Sequence, residues 1–158
     1  KDYTRYVGRQ YSPFIETTLM DDADIALVSM GAYTKDAIYA ARKLRERGIK
    51  AGVVRLRYWR PFPAEELREA LLDAKAIGVV DFSYSMGSPD HAGAFFNDVR
   101  STLYESNSKP PLVDFIFAGG REPTVRHFEE AICIVQESTR TKKVSKITHW
   151  LTLRGKDA

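Results

Sequence analysis

The chain has 158 residues, of which 44% are hydrophobic and 28% charged, and its formal net charge is +3. This length suits one domain with a substantial core and is too short for two. No apolar run approaches the roughly 18 residues of a membrane span, and the first ten residues lack the apolar stretch of a signal peptide, so we expect a cytoplasmic protein that does not contact membranes. Cys133 is the only cysteine in the sequence, which excludes an intrachain disulfide and a metal centre held by several cysteines.

Residues 1–20 form an aromatic N-terminal arm without clean periodicity. Its rings, which include Tyr3 and Tyr6, stand among basic residues. The run from Phe14 to Thr18 is long enough for an edge strand, and we expect little other secondary structure here. Exposed rings usually mark a contact with another chain, so we expect the arm to lie on a neighbouring subunit. Because the first residue is Lys1 and not methionine, we expect the chain to belong to a longer product.

The regular part of the sequence begins with a strand and a helix. Ile25–Met30 is a continuous apolar run that ends at Gly31, as is typical of a buried strand. Thr34 stands where the helix N-cap is expected, and Gly48 follows two arginines as a C-terminal stop signal. The pattern predicts a β-loop-α unit.

Residues 51–63, AGVVRLRYWRPFP, contain a second strand, a turn and a helix start. Ala51–Leu56 is rich in branched apolar residues and suits a buried strand. Pro61 favours an extended conformation for Arg60, and Pro63 suits the first turn of the next helix. The sequence therefore predicts Arg60 at the carboxyl end of a strand.

Two more strand-helix units follow. The strand Ile77–Asp81 leads into the polar loop SYSMGSPDHAG and a third helix, and the strand Leu112–Phe117 leads into AGGREPT and a fourth helix. Four strands alternating with four helices predict a three-layer α/β/α sandwich with a mainly parallel sheet over residues 21–138. Ligands and partners of such sheets meet the loops at the carboxyl ends of the strands. The polar residues predicted at this edge are Thr34, Arg60, Asp81, Ser83, Ser85, Asp90, His91, Arg121 and Glu122.

These polar residues do not match a catalytic motif. Asp81, Ser85 and His91 have the types of a hydrolytic triad, but the serine lacks the G-x-S-x-G elbow. The turn GAYTKD has neither the glycines of a dinucleotide site nor a Walker lysine. Gly119, Gly120 and Arg121 could hold an anion at a helix start, although an arginine bound to loop carbonyls explains them as well. We therefore predict no catalytic and no metal-binding residue.

Residues 139–158 are predicted to form a basic C-terminal tail. They carry six lysines or arginines and one acidic residue. No nucleic-acid-binding motif accompanies them, so we expect a solvated or partner-bound tail and no nucleic acid. If the tail is free, Trp150, Leu151 and Leu153 are exposed, which favours contact with a neighbouring subunit.

Five motifs resemble the second domain of the pyruvate:ferredoxin oxidoreductase alpha subunit, in the 2-oxoacid:ferredoxin oxidoreductase family. They are ADIALVSMG, LRERGIK, AGVVRLRYWRPFP, VVDFSYSMG and FIFAGGRE, within a match over about residues 3–138. RPFP after a strand is the most specific, and the glycine-glycine-arginine loop is second. Phe82 stands where the family often has arginine, which puts anion binding at this edge in doubt. The resemblance implies a fold like the transketolase C-terminal domain. The interface or loop-anchoring candidates are Arg60, Pro61, Phe62, Asp81, Gly87, Gly119, Gly120 and Arg121.

The resemblance implies an enzyme that decarboxylates a 2-oxoacid such as pyruvate oxidatively to acyl-CoA and carbon dioxide, with reduction of ferredoxin. The whole enzyme is expected to use thiamine diphosphate, Mg²⁺, iron–sulfur clusters and coenzyme A as co-substrate. The sequence has no counterpart of the family's cofactor-binding motifs, so we expect this chain to bind no cofactor and to be inactive alone. Its expected partners are the thiamine-diphosphate-binding and iron–sulfur subunits, with ferredoxin as the acceptor.

Two alternatives stay open. One is the C-terminal domain of a 2-oxoacid dehydrogenase or a transketolase, for which RPFP and GGRE are poor matches. The other is a free-standing ligand-binding module that uses the same strand edge. The 2-oxoacid itself is also open, because the discriminating pocket is expected outside this chain.

Overall fold

A six-stranded sheet forms the centre of the part of the protein described by the computed structural model, which comprises residues 2–8, 12–104, 106, 108–117 and 120–153. The strands are β1 (Ile15–Thr18), β2 (Ile25–Met30), β3 (Ala51–Leu56), β4 (Ala76–Asp81), β5 (Leu112–Ile116) and β6 (Thr148–Trp150). The helices are α1 (Asp2–Val7), α2 (Thr34–Arg45), α3 (Ala64–Ala70), α4 (Ala94–Tyr104) and α5 (Val125–Thr141), with a single 3₁₀ turn at Pro89–His91.

The strand order is β1-β3-β2-β4-β5-β6. All neighbouring strands are parallel except β1, which runs antiparallel to β3. β2 and β3 have the predicted bounds, whereas β4 begins one residue earlier and β5 ends one residue earlier than predicted. The apolar runs predicted these strands because both faces of the sheet are covered.

Two apolar cores lie on opposite faces of the sheet. One contains Leu44 of α2 and Phe128 of α5, and the other contains Leu67 of α3 and Phe95 of α4. The protein is therefore a three-layer α/β/α sandwich, as predicted.

The N-terminal arm has more regular structure than predicted. The strand predicted between Phe14 and Thr18 forms as β1, but the expectation of little other structure is wrong, since Asp2–Val7 form α1. The predicted N-cap is also displaced by one residue. Tyr33 occupies the N-cap position of α2 without a side-chain capping hydrogen bond, and Thr34 begins the helix and donates its hydroxyl to Ser29 Oγ at 3.3 Å.

Part of the predicted tail completes the sheet as β6. β6 pairs with β5, and the amide of Leu151 donates to the carbonyl oxygen of Ile116 at 3.2 Å. Leu151 is only 8% exposed and Val144 packs on the same core, so Leu151 does not have the exposure expected of a free tail. The physical reason is that β5 would otherwise leave an open edge. The division into an arm, a domain and a tail stays a prediction, and residues 154–158 lie outside the described part.

Within the described residues, none of the helices combines the length and the apolar character that crossing a membrane requires.

Candidate functional site

The carboxyl edge of the sheet contains a topological switch point between β2 and β4. These strands are neighbours, but β2 leads to α2 on one face and β4 leads to α4 on the other. A crevice at such a point is the usual ligand site of an α/β sheet. Here the rings of Tyr33 and Phe82 stack across it, with centroids 5.4 Å apart and planes 25° apart. The protein's own side chains thus occupy this position.

Further apolar side chains lie on the segment that contains Phe82. Phe82 packs edge-on against Phe117 at 6.1 Å. Phe82 and Tyr84 are 39% and 38% exposed, and Met86 is 88% exposed. We call Tyr33, Phe82, Tyr84 and Met86 the edge surface. Phe82, the residue that departs from the family pattern, therefore supplies a ring where a cation was expected.

Arg60 lies beside the edge, on the loop between β3 and α3. Its Nη2 forms an ion pair with Asp98 Oδ2 of α4 at 2.8 Å, and its Nη1 donates to the Trp59 carbonyl at 3.0 Å. The guanidinium carbon lies 5.3 Å from the Trp59 ring centroid and 5.9 Å from that of Phe62. Trp59 Nε1 donates to the same Asp98 oxygen at 2.6 Å. These contacts connect the RPFP loop to α4.

The remaining RPFP candidates flank this contact. Pro61 is exposed and follows a cis peptide bond, and Phe62 packs edge-on against Phe95 at 6.4 Å. Arg60 keeps a side-chain exposure of 63% despite its contacts. Its outer face is therefore available to another surface, and its assignment as an interface residue stays a prediction.

Asp81 is buried and holds the start of α4. Its Oδ2 accepts a hydrogen bond from the Phe96 amide at 2.8 Å, and its Oδ1 accepts one from the Ser83 hydroxyl at 3.0 Å. Burial raises the pKa of this carboxyl above its ordinary value, and the hydrogen bonds oppose the rise. Asp81 therefore acts here as a helix-positioning group.

Asp114 is a second buried carboxyl beside Asp81. It is fully buried in β5, and its Oδ2 accepts a hydrogen bond from the Gly93 amide at 2.8 Å. Its Oδ1 has no hydrogen-bond partner among the described residues. The pKa of Asp114 is raised to about 7, chiefly by burial; the hydrogen bond from the Gly93 amide opposes this rise and the charge of Asp81 adds to it.

Gly93 connects the two carboxyls because its backbone passes directly over them. A Cβ placed on Gly93 would lie 2.2 Å from Asp81 Oδ2, well inside van der Waals contact. A side chain at this position would displace Asp81 or the start of α4. This glycine was not singled out from the sequence.

Of the two glycine loops, the one that contains Gly87 is described in full and the one that contains Gly119 only in part. Gly87 and Gly120 have φ angles of 75° and 82°, in the left-handed region that favours glycine. Gly120 and Arg121 are exposed. Gly119 lies outside the described residues, so the predicted glycine-glycine-arginine anion site stays a prediction.

The structure does not assemble the hydrolytic triad rejected above. Asp81 is bound by Ser83, and His91 Nδ1 lies 3.0 Å from the hydroxyl of Tyr84. Ser85 enters the backbone bonding of its own turn, accepting from the Ser88 amide. The loop is therefore organised by its own contacts.

The residues present do not fit the metal ion and the iron–sulfur clusters that the resemblance implies for the whole enzyme. No group of three or more histidine, cysteine, aspartate or glutamate side chains able to hold a metal ion occurs in the described part of the chain. One cysteine in the whole sequence also falls short of the four thiolates of an ordinary iron–sulfur cluster.

Sequence reasoning missed Asp114 and Trp150 at this edge. Trp150 lies 5.5 Å from the Tyr84 ring, because β6 continues the sheet. A charged residue within the apolar run LVDFIF was a usable signal for Asp114, since a buried carboxyl needs partners. Trp150 had no comparable signal, because β6 is only three residues long.

Comparisons with known proteins add to this geometry. Residues 23–128 match the family model described as pyruvate:ferredoxin oxidoreductase core domain II. Pyruvate synthase subunit PorA of Pyrococcus abyssi is 36% identical over 97% of this chain and 38% of its own length. Ketoisovalerate oxidoreductase subunit VorA of Pyrococcus horikoshii is 33% identical over 98% of this chain and 39% of its own length. The resemblance read from the motifs is confirmed, and the chain spans less than half the length of these relatives.

Solved structures show the same fold. One match is a chain described as "split gene transketolase, inactive beta4 tetramer". The match covers 86% of this chain and 46% of that chain, with a TM-score of 0.63 and 23% identity. The 2-oxoglutarate:ferredoxin oxidoreductase of Magnetococcus marinus matches 87% of this chain and 21% of its own with a TM-score of 0.61 and 17% identity. The predicted transketolase-like α/β fold is confirmed.

Proposed function

Because the chain belongs to the pyruvate:ferredoxin oxidoreductase core domain II family, we propose that it is a structural, non-catalytic part of a 2-oxoacid:ferredoxin oxidoreductase. The whole enzyme would convert a 2-oxoacid and coenzyme A to acyl-CoA and carbon dioxide and reduce ferredoxin. The two relatives are named for pyruvate and ketoisovalerate, so family membership alone does not select the 2-oxoacid.

The observation that carries this proposal is the Tyr33–Phe82 stack at the switch point. The crevice that would hold a ligand in a ligand-binding α/β domain is occupied by two rings of the protein itself. The neighbouring carboxyls Asp81 and Asp114 are buried and bind backbone amides of the α4 start. The edge is therefore built for packing and not for chemistry.

The same edge offers a surface for assembly. Met86 is 88% exposed and lies on the same loop as the partly exposed Phe82 and Tyr84, and a patch of exposed apolar groups usually marks contact with another chain or domain. In our proposal the edge surface and Arg60 face the domains or subunits that bind thiamine diphosphate, Mg²⁺ and iron–sulfur clusters. The assembled enzyme would be cytoplasmic.

A charge placed at Met86 tests this role. We expect Met86→Asp to weaken assembly with the subunits that co-purify from the native source by roughly tenfold, about 1.4 kcal/mol, because the carboxylate must lose its hydration on docking. Leu72→Asp is the matched control, since Leu72 is 59% exposed but follows α3 away from this edge. Mass photometry over a dilution series measures the dissociation constants.

Both variants change exposed residues, so their melting temperatures should match that of the unchanged chain. If Met86→Asp assembles as tightly as Leu72→Asp, the edge surface is not the interface. If assembly is normal but the isolated chain turns over a 2-oxoacid, the non-catalytic role is wrong as well.

A further inference from the structure

Among the described residues, no strand pairs with the outer edge of β1. β1 is the end strand of the sheet, with β3 on one side only. The Arg57 amide donates to the Phe14 carbonyl at 2.8 Å, so the backbone of Phe14 faces β3. Because backbone groups alternate in an antiparallel ladder, Glu16 also faces β3, and the amides and carbonyls of Ile15 and Thr17 face outward.

These outward groups border a groove of about 590 Å³ between β1 and α3. Ile15, Glu16 and Thr17 line the strand side of the groove, and Glu66, Glu69 and Ala70 line the helix side. The groove thus presents a free strand edge and a helix face to the same space. An extended peptide fits such a space because it can pair with the strand while its side chains reach the helix.

The helix side is negatively charged and unneutralised. Glu66 and Glu69 are three residues apart on α3, so their side chains lie on one face. Neither forms an ion pair with a residue in the described part of the chain. Glu16 differs, because Arg57 and Arg55 bind its carboxylate and lower its pKa. The charge facing the groove therefore comes from Glu66 and Glu69.

Edge strands of globular proteins usually carry a device against further pairing, such as an edge lysine, a proline or a bulge. The strand IETT of β1 contains neither lysine nor proline, and its four residues pair with β3 in unbroken register. Its shortness is the one protection left on the described strand. The edge can therefore accept a partner of matching length.

We propose that the β1 edge binds an extended segment of a partner polypeptide with lysine or arginine at alternate positions, added as a seventh strand. Paired strands lie about 4.8 Å apart, and alternate side chains of the added strand fall on the α3 face about 6.6 Å from one another. Long basic side chains at that spacing reach both Glu66 and Glu69. Backbone pairing positions the partner segment, and the two carboxylates select basic sequences. This inference does not depend on the proposed function.

The test uses the 158-residue chain and the synthetic peptide Thr-Lys-Val-Lys-Thr-Lys-Val with blocked ends. We expect a dissociation constant below about 1 mM in a nuclear magnetic resonance titration, which is an ordinary range for one short peptide. Hydrogen exchange at the amides of Ile15 and Thr17 should slow at least fivefold on binding. The Glu66→Gln/Glu69→Gln double variant should bind at least fivefold more weakly. Glu65→Gln, on the same helix but outside the groove, should bind like the unchanged chain.

A second peptide separates strand pairing from simple charge attraction. It has the same sequence but carries an N-methyl group on every backbone amide. Pairing with β1 is then blocked in both possible registers, while the charge is kept. We expect its binding to be at least tenfold weaker and to leave exchange at Ile15 and Thr17 unchanged. Three results would each overturn the proposal. They are no binding of the first peptide, equal binding of the methylated peptide, and equal binding by the Glu65→Gln variant and the double variant.

Discussion

At the scale of single residues, the buried carboxyls Asp81 and Asp114 predict that the stability of the protein depends on pH. A carboxyl whose pKa is raised in the folded state binds a proton more tightly when folded than when unfolded. For Asp114, the resulting contribution to the free energy of unfolding is complete below the unfolded pKa of about 3.8. It is lost as the pH rises through the folded pKa of about 7. Burial at Asp114 therefore makes the protein less stable at pH 7 than at pH 5.

We expect Asp114→Asn to flatten this dependence. Between pH 4 and pH 7 the free energy of unfolding of the unchanged chain should fall by up to about 1.4 kcal/mol per pH unit, and the variant should lose most of that slope. Urea titrations at pH 5, 6 and 7 measure it.

Asp22→Asn is the control for this slope. The exposed Asp22 carboxylate accepts a hydrogen bond from Arg45, which lowers its pKa, so its contribution is lost only as the pH falls below about 4. An Asp114→Asn chain with the same slope as the unchanged chain would show that Asp114 titrates normally.

Arg60 makes a second prediction at this scale. Arg60→Lys keeps the charge but loses the planar group that packs on Trp59 and Phe62 while bound to Asp98. We expect assembly with the co-purifying subunits to weaken roughly fivefold, with normal turnover in the complex that remains. Arg126→Lys, an exposed arginine of α5, is the control.

Arginine does not lose its proton near neutral pH, so it is unsuited to proton transfer. An Arg60→Lys complex that assembles normally but turns over more slowly would therefore show that the assignment is wrong.

Part of this site could be predicted from the sequence. The prolines that follow Arg60 predicted its place at a strand end, because each proline restricts the backbone. The apolar run that ends at Asp81 placed this residue at the end of β4. The contacts of Arg60 with Asp98 and of Asp81 with the Phe96 amide were beyond reach, since both bring together residues distant in sequence through the packing of α4.

At the scale of the elements, long apolar strands were predictable and short ones were not. β2 and β3 were found with correct bounds because each is an apolar run closed by a glycine or a polar turn. β6 was missed because Thr148–Trp150 is too short for a period and stands among lysines. α1 was missed because six residues with two exposed tyrosines show no apolar face.

Two truncations test the place of β6. A chain ending at Ile147 loses β6 and the buried Leu151, so its free energy of unfolding should fall by about 3 kcal/mol or more. A chain ending at Leu153 keeps them and should be as stable as the full chain. Thermal unfolding followed by circular dichroism measures both.

Equal stability of the two truncated chains would mean that β6 contributes nothing to the fold. That result would favour the prediction that residues 139–158 form a basic tail, solvated or bound to a partner.

At the scale of the whole molecule, the alternation of strands and helices was enough to predict the sandwich. Packing both faces of a parallel sheet leaves few arrangements, which is why the layers followed from the pattern. The function followed from motifs such as RPFP and not from the physical pattern, since one fold serves many activities.

The isolated chain should neither bind thiamine diphosphate nor reduce ferredoxin. The described residues offer no metal-binding group for the diphosphate's Mg²⁺, and the sequence has one cysteine. Titration calorimetry with thiamine diphosphate and Mg²⁺ should show no heat of binding at micromolar concentrations. Micromolar binding by this chain alone would contradict the proposal that other subunits or domains bind thiamine diphosphate.

The central claim is that the protein acts as a structural part of a larger oxidoreductase. It is tested most directly by purifying the protein from its native source and identifying what purifies with it by mass spectrometry, with an assay of the same fraction. We predict thiamine-diphosphate-binding and iron–sulfur polypeptide partners or domains, and ferredoxin reduction that requires both a 2-oxoacid and coenzyme A. A protein that purifies alone, or together with a lipoyl acyltransferase core, and that shows no such activity would contradict the account.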